Sequence, residues 1–246
     1  MSDHLHFQER TAILLGEEAL EALGRASVAV YGLGGVGAAC AIDLVRAGVG
    51  TIRARDFDTV SEGNLNRLVF GLSSTVGRKK TDVFAEWARD INPKVQVLVE
   101  DGLISGAGAD EAILEGCDFH IDCIDTLNAK ANLIAALVRA GLPFASSMGT
   151  AGRLDPLRLR FGSLWKTAGC PLARSVRQRL RKFGVPPDAR VDCVWSDEEA
   201  APPGDWGEAG GGRPRRLLGT APFVPQTAGH ILASVAVRHI LAQAGT

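Results

Sequence analysis

The sequence predicts an α/β fold in which helices cover both faces of a doubly wound, mostly parallel sheet, followed by a smaller basic α+β extension at the C-terminal end. Short apolar runs alternate with longer amphipathic runs over the first 150 or so residues, which predicts the sheet and its helices. A glycine-rich turn joins the first strand of that series to its first helix. The alternation ends near Gly149 and a basic segment begins, which predicts the extension.

Local composition places the elements of the sheet. Residues 27–31 are an apolar run that ends in glycines, and Ile42, Leu44 and Val45 suit a helix packed on a sheet. Asn92-Pro93 ends a later helix. The predicted strands are 27–31, 51–56, 95–99, 118–122 and 144–146, and the predicted helices are 38–47, 79–90 and 129–140.

The extension is expected to hold a strand, two helices and a loop. Residues 157–161 alternate apolar and basic side chains, which predicts a strand with one exposed face, and a basic helix is expected over 173–182. The segment 197–216 is rich in Gly, Pro, Glu and Asp, which predicts a mobile loop. The apolar run 228–244 falls short of the roughly 20 residues that span a bilayer, so it predicts a packed or amphipathic helix.

The bulk composition is typical of a folded protein. Of the 246 residues, 46% are hydrophobic and 22% are charged, which suits an ordinary core. The N-terminus has neither the basic start nor the apolar run of a secretory signal, so the cytoplasm is the expected compartment. The five cysteines are scattered and contain no C-x-x-C pair, which argues against a disulfide framework and a structural zinc site.

Charge is distributed unevenly along the chain, although the formal net charge is only −1. Between residues 153 and 190 there are ten Arg or Lys and only two Asp. Such a segment is a candidate polyanion-binding face. A solvated, charged helix face would account for the same residues equally well, so charge alone leaves both interpretations open.

A G-x-G-x-x-G motif follows the first strand and opens a helix; its glycines are Gly32, Gly34, Gly35 and Gly37. Glycines in this context let the backbone approach a phosphate, and the free amides and positive dipole end of the helix favour the phosphate charge. Asp56, at the end of the second strand, is placed to hydrogen-bond a ribose hydroxyl. The motif predicts a Rossmann-type nucleotide site, which suits NAD as well as ATP.

Residues downstream of this motif favour ATP over NAD. Asp56-Phe57-Asp58 is followed by Asn64-Leu65-Asn66-Arg67, then by Gly77-Arg78-Lys79-Lys80, and later by Asp122-Cys123-Ile124-Asp125. These motifs resemble the adenylating family that includes the ubiquitin-activating enzymes and the bacterial ThiF, MoeB and HesA proteins. Hydride transfer has no use for two cations beside the phosphates, whereas adenylation must stabilise charge on the α-phosphate and on the departing pyrophosphate.

The resemblance implies a role for each matching residue. The implied ligands are Asp56 for the ribose, Asp58 beside the nucleotide, Asn64, Arg67 and Lys80 for the phosphates, and Asp125 for Mg²⁺. Arg10 matches the family arginine that reaches into the partner subunit's ATP site, which implies a homodimer with residues 1–25 as a helical arm at its interface. The implied catalytic residues are Arg10, Arg67, Lys80 and Asp125, and the implied cofactors are ATP and Mg²⁺, without zinc.

The segments after the sheet resemble the tRNA threonylcarbamoyladenosine dehydratase branch of this family. The resemblance is carried by residues 148–156, 166–167, 170–174, 193–198, 222–225 and 228–229. It implies an ATP-binding domain at 26–150 and a substrate-facing extension at 151–246. The implied enzyme is a ligase-type adenylating enzyme that acts on tRNA and not on DNA, with a sulfur-relay protein as a further candidate partner.

The implied reaction transfers AMP to the threonyl carboxylate of threonylcarbamoyladenosine, after which the neighbouring carbamoyl group closes a ring within the same molecule. Basic side chains of the extension would then hold the phosphates of the tRNA by a salt-dependent attraction. The expected phosphate ligands are Arg153, Arg158, Arg174, Arg177, Arg181 and Lys182.

Three alternatives remain at this stage. A ThiF- or MoeB-like activator of the C-terminal carboxylate of a small carrier protein is disfavoured, because such enzymes commonly hold zinc with two C-x-x-C pairs. A nucleotide-binding regulator would bind without turnover, and an NAD dehydrogenase is disfavoured by Arg67 and Lys80.

Cys170 and Cys193 invite a covalent mechanism, but no His lies near either in the sequence, so we interpret them as buried apolar thiols.

Overall fold

A seven-stranded sheet forms the centre of the protein in the computed structural model, which describes residues 6–102, 109–209, 213–216 and 218–245. The strands of this sheet are β1 (Ser27–Tyr31), β2 (Thr51–Arg55), β3 (Gln96–Glu100), β4 (Phe119–Asp122), β5 (Phe144–Ser147), β6 (Leu159–Ser163) and β7 (Asp192–Ser196). The α-helices among the described residues are α1 (Glu9–Leu15), α2 (Glu17–Arg25), α3 (Gly35–Ala47), α4 (Lys80–Ile91), α5 (Leu127–Ala140), α6 (Pro171–Lys182) and α7 (Phe223–Ala244).

The strand order is β3-β2-β1-β4-β5-β7-β6, and every neighbouring pair is parallel except β6 with β7. The chain winds outward from β1 in one direction and from β4 in the other, so the order reverses between these two strands. In open α/β sheets, ligands bind outside the carboxyl ends of the strands at such a switch point. The predicted doubly wound, mostly parallel sheet is confirmed, and it places the glycine turn at that point.

The two central strands are buried on both faces, and β1 is accordingly a nearly continuous apolar run, whereas β4 alternates the apolar Phe119 and Ile121 with the buried polar His120 and Asp122. Successive side chains of β1 point to opposite faces. Val28 and Val30 pack in a cluster with α3, α4 and α7, whereas Ala29 and Tyr31 pack with α5 and α6. The core therefore consists of two apolar layers, one on each face of the sheet.

The C-terminal helix α7 packs closely against α3. A Cβ atom on Gly229 of α7 would lie 2.4 Å from the backbone oxygen of Val36 and 2.9 Å from the Cβ of Ala39. Only glycine permits this approach. Because β6 and β7 also continue the large sheet, the extension shares the core of the nucleotide-binding part. No helix in the described part of the chain combines the length and apolarity needed to cross a membrane.

The elements predicted for the first 150 residues are confirmed, with small shifts at their ends, and the differences lie in the extension. Strand β7 was not predicted, because it is short and its pairing with β5 and β6 is decided by distant parts of the chain. The predicted loop over 197–216 is wrong where the backbone forms an antiparallel hairpin of β8 (Trp206–Ala209) and β9 (Arg213–Arg216). Residues 210–212 lie outside the described residues, and the mobility of this segment stays a prediction.

Candidate active site

The glycine turn between β1 and α3 combines tight packing with an open surface. Gly32 has a φ of 89°, which larger residues rarely adopt. A Cβ on Gly37 would lie only 1.8 Å from the backbone oxygen of Gly32, so this position also excludes larger residues. By contrast, a Cβ on Gly34 would meet no heavy atom within 4 Å. Gly34 therefore borders open space at the start of α3, where the helix dipole favours an anion.

Asp56 lies beside this turn, at the carboxyl end of β2, and is nearly buried. One carboxylate oxygen accepts the amide of Leu33 at 2.5 Å and the other accepts the amide of Asp58 at 2.7 Å. Burial raises the pKa of Asp56, although the charge of Lys80 and the two amides act in the opposite direction. The side chain is thus anchored to the turn, and the second lone pair of each oxygen can still accept a ribose hydroxyl.

Lys80 is the first residue of α4, and its side chain is only 7% exposed. Its ammonium group lies 2.8 Å from a carboxylate oxygen of Asp58, and its amide donates to the backbone oxygen of the same residue. The Asp58 side chain is nearly half exposed. The ion pair therefore holds the Lys80 ammonium close to Asp56, while the Asp58 side chain remains accessible to solvent beside the glycine turn.

Arg67 approaches the glycine turn from the other side. A Cβ on Gly35 would lie 3.1 Å from the Cγ of Arg67, so the arginine stem passes directly over the start of α3. The guanidinium donates to the backbone oxygen of Gly63 at 2.8 Å and to the side chain of Asn66 at 2.9 Å. Burial lowers the pKa of Arg67, and the nearby negative charge of Asp125 acts in the opposite direction. Arg67 and Asp125 thus face the same region.

The side chain of Asn64 contacts the local backbone. Its side-chain oxygen accepts the amide of Ser61 at 3.3 Å, as part of a capping box around a short 3₁₀ turn. The contact holds the loop that carries Arg67. The implied contact between Asn64 and phosphate stays a prediction.

Asp125 is exposed in the loop between β4 and α5, and this loop lies against the glycine turn. A Cβ on Gly32 would lie 3.1 Å from the backbone oxygen of Cys123. Among the residues that the structure describes, no three or more His, Cys, Asp or Glu side chains are grouped to hold a metal ion. Mg²⁺ in nucleotide sites is usually held by one or two carboxylates together with the phosphates, and a single exposed carboxylate beside the turn fits that pattern.

Sequence reasoning missed a buried polar cluster beneath this loop. Asp122, Lys130 and Ser146 are fully buried, and the Lys130 ammonium lies 2.6 Å from Asp122 and 3.1 Å from the Ser146 hydroxyl. A signal for it exists in the sequence, because Lys130 interrupts the apolar face of a helix that continues with Ile134 and Leu137 at helical spacing. A charge at such a position requires a buried partner.

The predicted tRNA-binding residues fall into different environments. Arg153 is 5% exposed and donates to the backbone oxygens of Gly149, Ala151, Gly169 and Glu198, so burial removes it from the predicted surface. The Arg177 guanidinium turns inward to the backbone oxygens of Leu164 and Thr167. Arg158 is exposed and paired with Asp197. The predicted ligands that remain exposed on α6 are Arg174, Arg181 and Lys182.

The arm at the N-terminus exposes apolar side chains. Helix α1 buries none of its residues, and Ile13 and Leu14 are 86% and 80% exposed. Arg10 is also exposed on this helix and lies outside the cluster formed by the other implied catalytic residues. The structure therefore brings Arg67, Lys80 and Asp125 to the glycine turn, while the implied role of Arg10 in a partner subunit's site stays a prediction.

Cys170 and Cys193 are both buried. The Cys170 sulfur accepts the amide of Ala173 at 3.5 Å and so caps α6, and burial raises the pKa of the Cys193 thiol. A raised pKa disfavours the thiolate that a covalent mechanism would need. The environment of both residues agrees with the interpretation as packed thiols.

The chain is similar in sequence and fold to known proteins. A model of the ThiF family matches residues 8–183. The tRNA threonylcarbamoyladenosine dehydratase of Escherichia coli (strain K12) is 35% identical over 249 residues, which cover 95% of this chain and 93% of that protein. The tRNA threonylcarbamoyladenosine dehydratase of Bacillus subtilis (strain 168) is 37% identical over 194 residues, which cover 79% of this chain and 76% of that protein. A crystal structure of the E. coli enzyme in complex with ATP superposes with a TM-score of 0.87, at 35% identity, covering 96% of this chain and 94% of that chain.

Proposed function

Because this chain belongs to the ThiF family, and within it to the tRNA threonylcarbamoyladenosine dehydratases, we propose that it uses ATP to cyclise threonylcarbamoyladenosine in tRNA. The observation that carries this proposal is that the similarity to a dehydratase runs through the extension as well as the nucleotide-binding part. An activator of a carrier protein would need only the nucleotide-binding part to match. The geometry of the glycine turn, with Lys80 and Arg67 on either side, supports adenylation.

The first step joins a carboxylate oxygen of the threonyl group to the α-phosphorus of ATP and releases pyrophosphate. Backbone amides at the start of α3 donate hydrogen bonds to phosphate oxygens, and the carboxylate of Asp56 accepts a hydrogen bond from a ribose hydroxyl. Lys80 and Arg67 stabilise the charge that develops on the α-phosphate and on the departing pyrophosphate. Asp125 would hold Mg²⁺, which neutralises phosphate charge when bound.

The second step needs no protein nucleophile. The carbamoyl group attacks the activated acyl carbon, a proton leaves, and AMP departs, so the nucleoside loses one water overall. Nucleophile and electrophile belong to one molecule, and the enzyme has only to hold them in the reactive geometry and keep water away. The burial of Cys170 and Cys193 is consistent with this pathway.

Two features of the surface supplement the proposal. The exposed cations Arg174, Arg181 and Lys182 on α6 would bind tRNA phosphates without reading sequence. The exposed apolar residues Ile13 and Leu14 would bury their surface against a second copy of the chain, which would carry Arg10 into the partner subunit's site.

The test is a reaction with ATP, Mg²⁺ and tRNA that bears threonylcarbamoyladenosine, followed by digestion and mass spectrometry of the nucleoside. We expect a product lighter by one water that requires ATP. Lys80→Ala should lower the rate by about two orders of magnitude or more, because a cation beside the phosphates is lost. The matched control is Lys79→Ala, which removes the adjacent exposed lysine that pairs with Asp101 and should leave the rate unchanged.

An unchanged nucleoside, from enzyme that binds ATP, would contradict the dehydratase proposal. Exchange of pyrophosphate with ATP that depends on an added carrier protein would then identify a ThiF- or MoeB-like activator. ATP binding without exchange for any acceptor would instead identify a regulator.

A further inference from the structure

The buried cluster of Asp122, Lys130 and Ser146 joins three elements under the active-site edge of the sheet. Asp122 ends β4, Lys130 lies in the first turns of α5, and Ser146 belongs to β5. One carboxylate oxygen of Asp122 accepts the Lys130 ammonium at 2.6 Å and the Ser146 hydroxyl at 2.6 Å. The side chains of Asp122 and Lys130 are both fully buried.

A buried ion pair contributes little to stability in general, because the desolvation of both charges offsets their attraction. Three apolar residues could fill the same volume, so folding alone gives no reason for charges here. What the cluster adds is the orientation of the Asp122 carboxylate, because hydrogen bonds fix the direction of a side chain and apolar contacts do not.

The other carboxylate oxygen of Asp122 holds the loop that follows β4. It accepts the amide of Ile124 at 3.0 Å, while the amide of Cys123 donates to the backbone oxygen of Tyr31 at 2.8 Å. The backbone oxygen of Cys123 lies against Gly32 of the glycine turn, and Asp125 comes one residue after Ile124. A change in the orientation of Asp122 would therefore move both the candidate magnesium ligand and one wall of the phosphate turn.

We infer that Lys130 is a positioning residue for adenylation, which sets Asp122 and through it the loop that carries Asp125. This inference rests on the proposed function for the role of Asp125 alone. The ammonium touches neither nucleotide nor substrate, because it is fully enclosed between α5 and the sheet. Its effect passes through two hydrogen bonds, from Lys130 to Asp122 and from Ile124 to Asp122.

The test compares the wild-type protein with Lys130→Met and with the double variant Asp122→Asn/Lys130→Met, which leaves no unpaired buried charge. Amide hydrogen exchange in peptides that contain residues 123–126 reports the loop directly, without any assay of turnover. We expect this exchange to be at least tenfold faster in both variants. Turnover should fall at least tenfold and need more Mg²⁺ for half-maximal rate, whereas the KM for tRNA stays unchanged.

Leu137→Ala is the matched control, because it removes a buried side chain from the far end of the same helix. It should lower the melting temperature and leave the exchange of residues 123–126 and the Mg²⁺ requirement at wild-type values. The inference is overturned if the double variant folds with a wild-type loop, or if Leu137→Ala loosens the loop equally. If the wild-type protein shows no turnover, the proposed function has failed, and the exchange data still decide whether Lys130 positions the loop.

Discussion

At the scale of single residues, two glycines of the turn are expected to have different roles: Gly37 is needed for packing, and Gly34 for the approach of the nucleotide phosphate. Gly37→Ala should lower the free energy of unfolding by about 2 kcal/mol or more, since the new methyl would overlap the backbone oxygen of Gly32. Gly34→Ala should change stability by less than about 0.5 kcal/mol, because its methyl meets open space. The same methyl should weaken ATP binding about tenfold or more, a loss of ~1.4 kcal/mol. Denaturant titration and ATP titration of both variants check this pair, and equal ATP affinity in Gly34→Ala would contradict the phosphate path.

His120 provides a second residue-scale prediction, on the pH dependence of stability. The Tyr31 hydroxyl accepts the amide of Leu114 at 2.9 Å and lies 3.0 Å from Nδ1 of His120, so its proton is directed at an unprotonated ring nitrogen. Burial lowers the pKa of His120 to about 4. Between about pH 6.5 and pH 4 His120 binds a proton in the unfolded chain and stays neutral in the folded protein. The contribution of neutral His120 to folding stability is therefore complete above about pH 6.5 and is lost as the pH falls toward 4.

Between pH 7.5 and pH 5 the loss from His120 should be about 2 kcal/mol. The measurement is the free energy of unfolding at both pH values for wild type and for His120→Gln. The variant should lose less stability over this interval than the wild type, because its amide does not titrate. Identical pH dependence of the two proteins would show that His120 is not the responsible group.

At the scale of elements, helix α6 and the segment before it show that some basic side chains stabilise the fold whereas others remain on the surface. Arg177 and Arg153 donate inward to backbone oxygens, while Arg174 and Arg181 stay exposed. Changing Arg174 and Arg181 together to Glu should reduce the slope of log affinity for tRNA against log salt by about 1 to 2 units, because two phosphate contacts disappear. The matched control changes Arg46 and Arg89, two exposed arginines on α3 and α4, to Glu. A slope that falls equally in both double variants would indicate a general charge effect and contradict the assignment to α6.

Helix α7 and strand β7 show why the extension was harder to predict than the sheet. The close approach of α7 to α3 depends on one glycine whose neighbours are about 190 residues away in sequence. Strand β7 has no strong alternation of its own and is defined by its partners β5 and β6. The hairpin of β8 and β9 lies in a segment whose Gly-rich composition is also typical of loops.

At the scale of the whole molecule, the proposal requires two subunits for one complete site. Helix α1 exposes Arg10, Ile13 and Leu14 together and leaves the cluster of Arg67, Lys80 and Asp125 without this arginine. We expect Arg10→Ala and Lys80→Ala homodimers each to have little turnover. Mixing them under conditions that allow subunit exchange should restore roughly a quarter of the wild-type rate, because half the dimers then hold one site with both residues.

No recovery on mixing, with exchange verified by a labelled subunit, would show that Arg10 does not act in the partner's site. Wild-type turnover by the Arg10→Ala protein alone, without mixing, would show that Arg10 is dispensable. Size-exclusion chromatography of Ile13→Asp gives an independent measure, since a charge in the proposed interface should shift the chain toward the monomer.

Local patterns predicted the fold class and most residues of the candidate site, because both depend on residues that are close together in the chain. Apolar runs of strand length, a glycine motif between strand and helix, and Asp56 and Asp125 shortly after strands indicate one edge of a parallel sheet, and the family resemblance adds Arg67 and Lys80 to this site. Which charges are exposed and which are internal depends on the tertiary packing. Arg153 was predicted to lie on the tRNA-binding surface, and no role was predicted for Lys130; both are buried, Arg153 among carbonyl oxygens and Lys130 against the carboxylate of Asp122. Such partners are set by packing between elements, which no local pattern records.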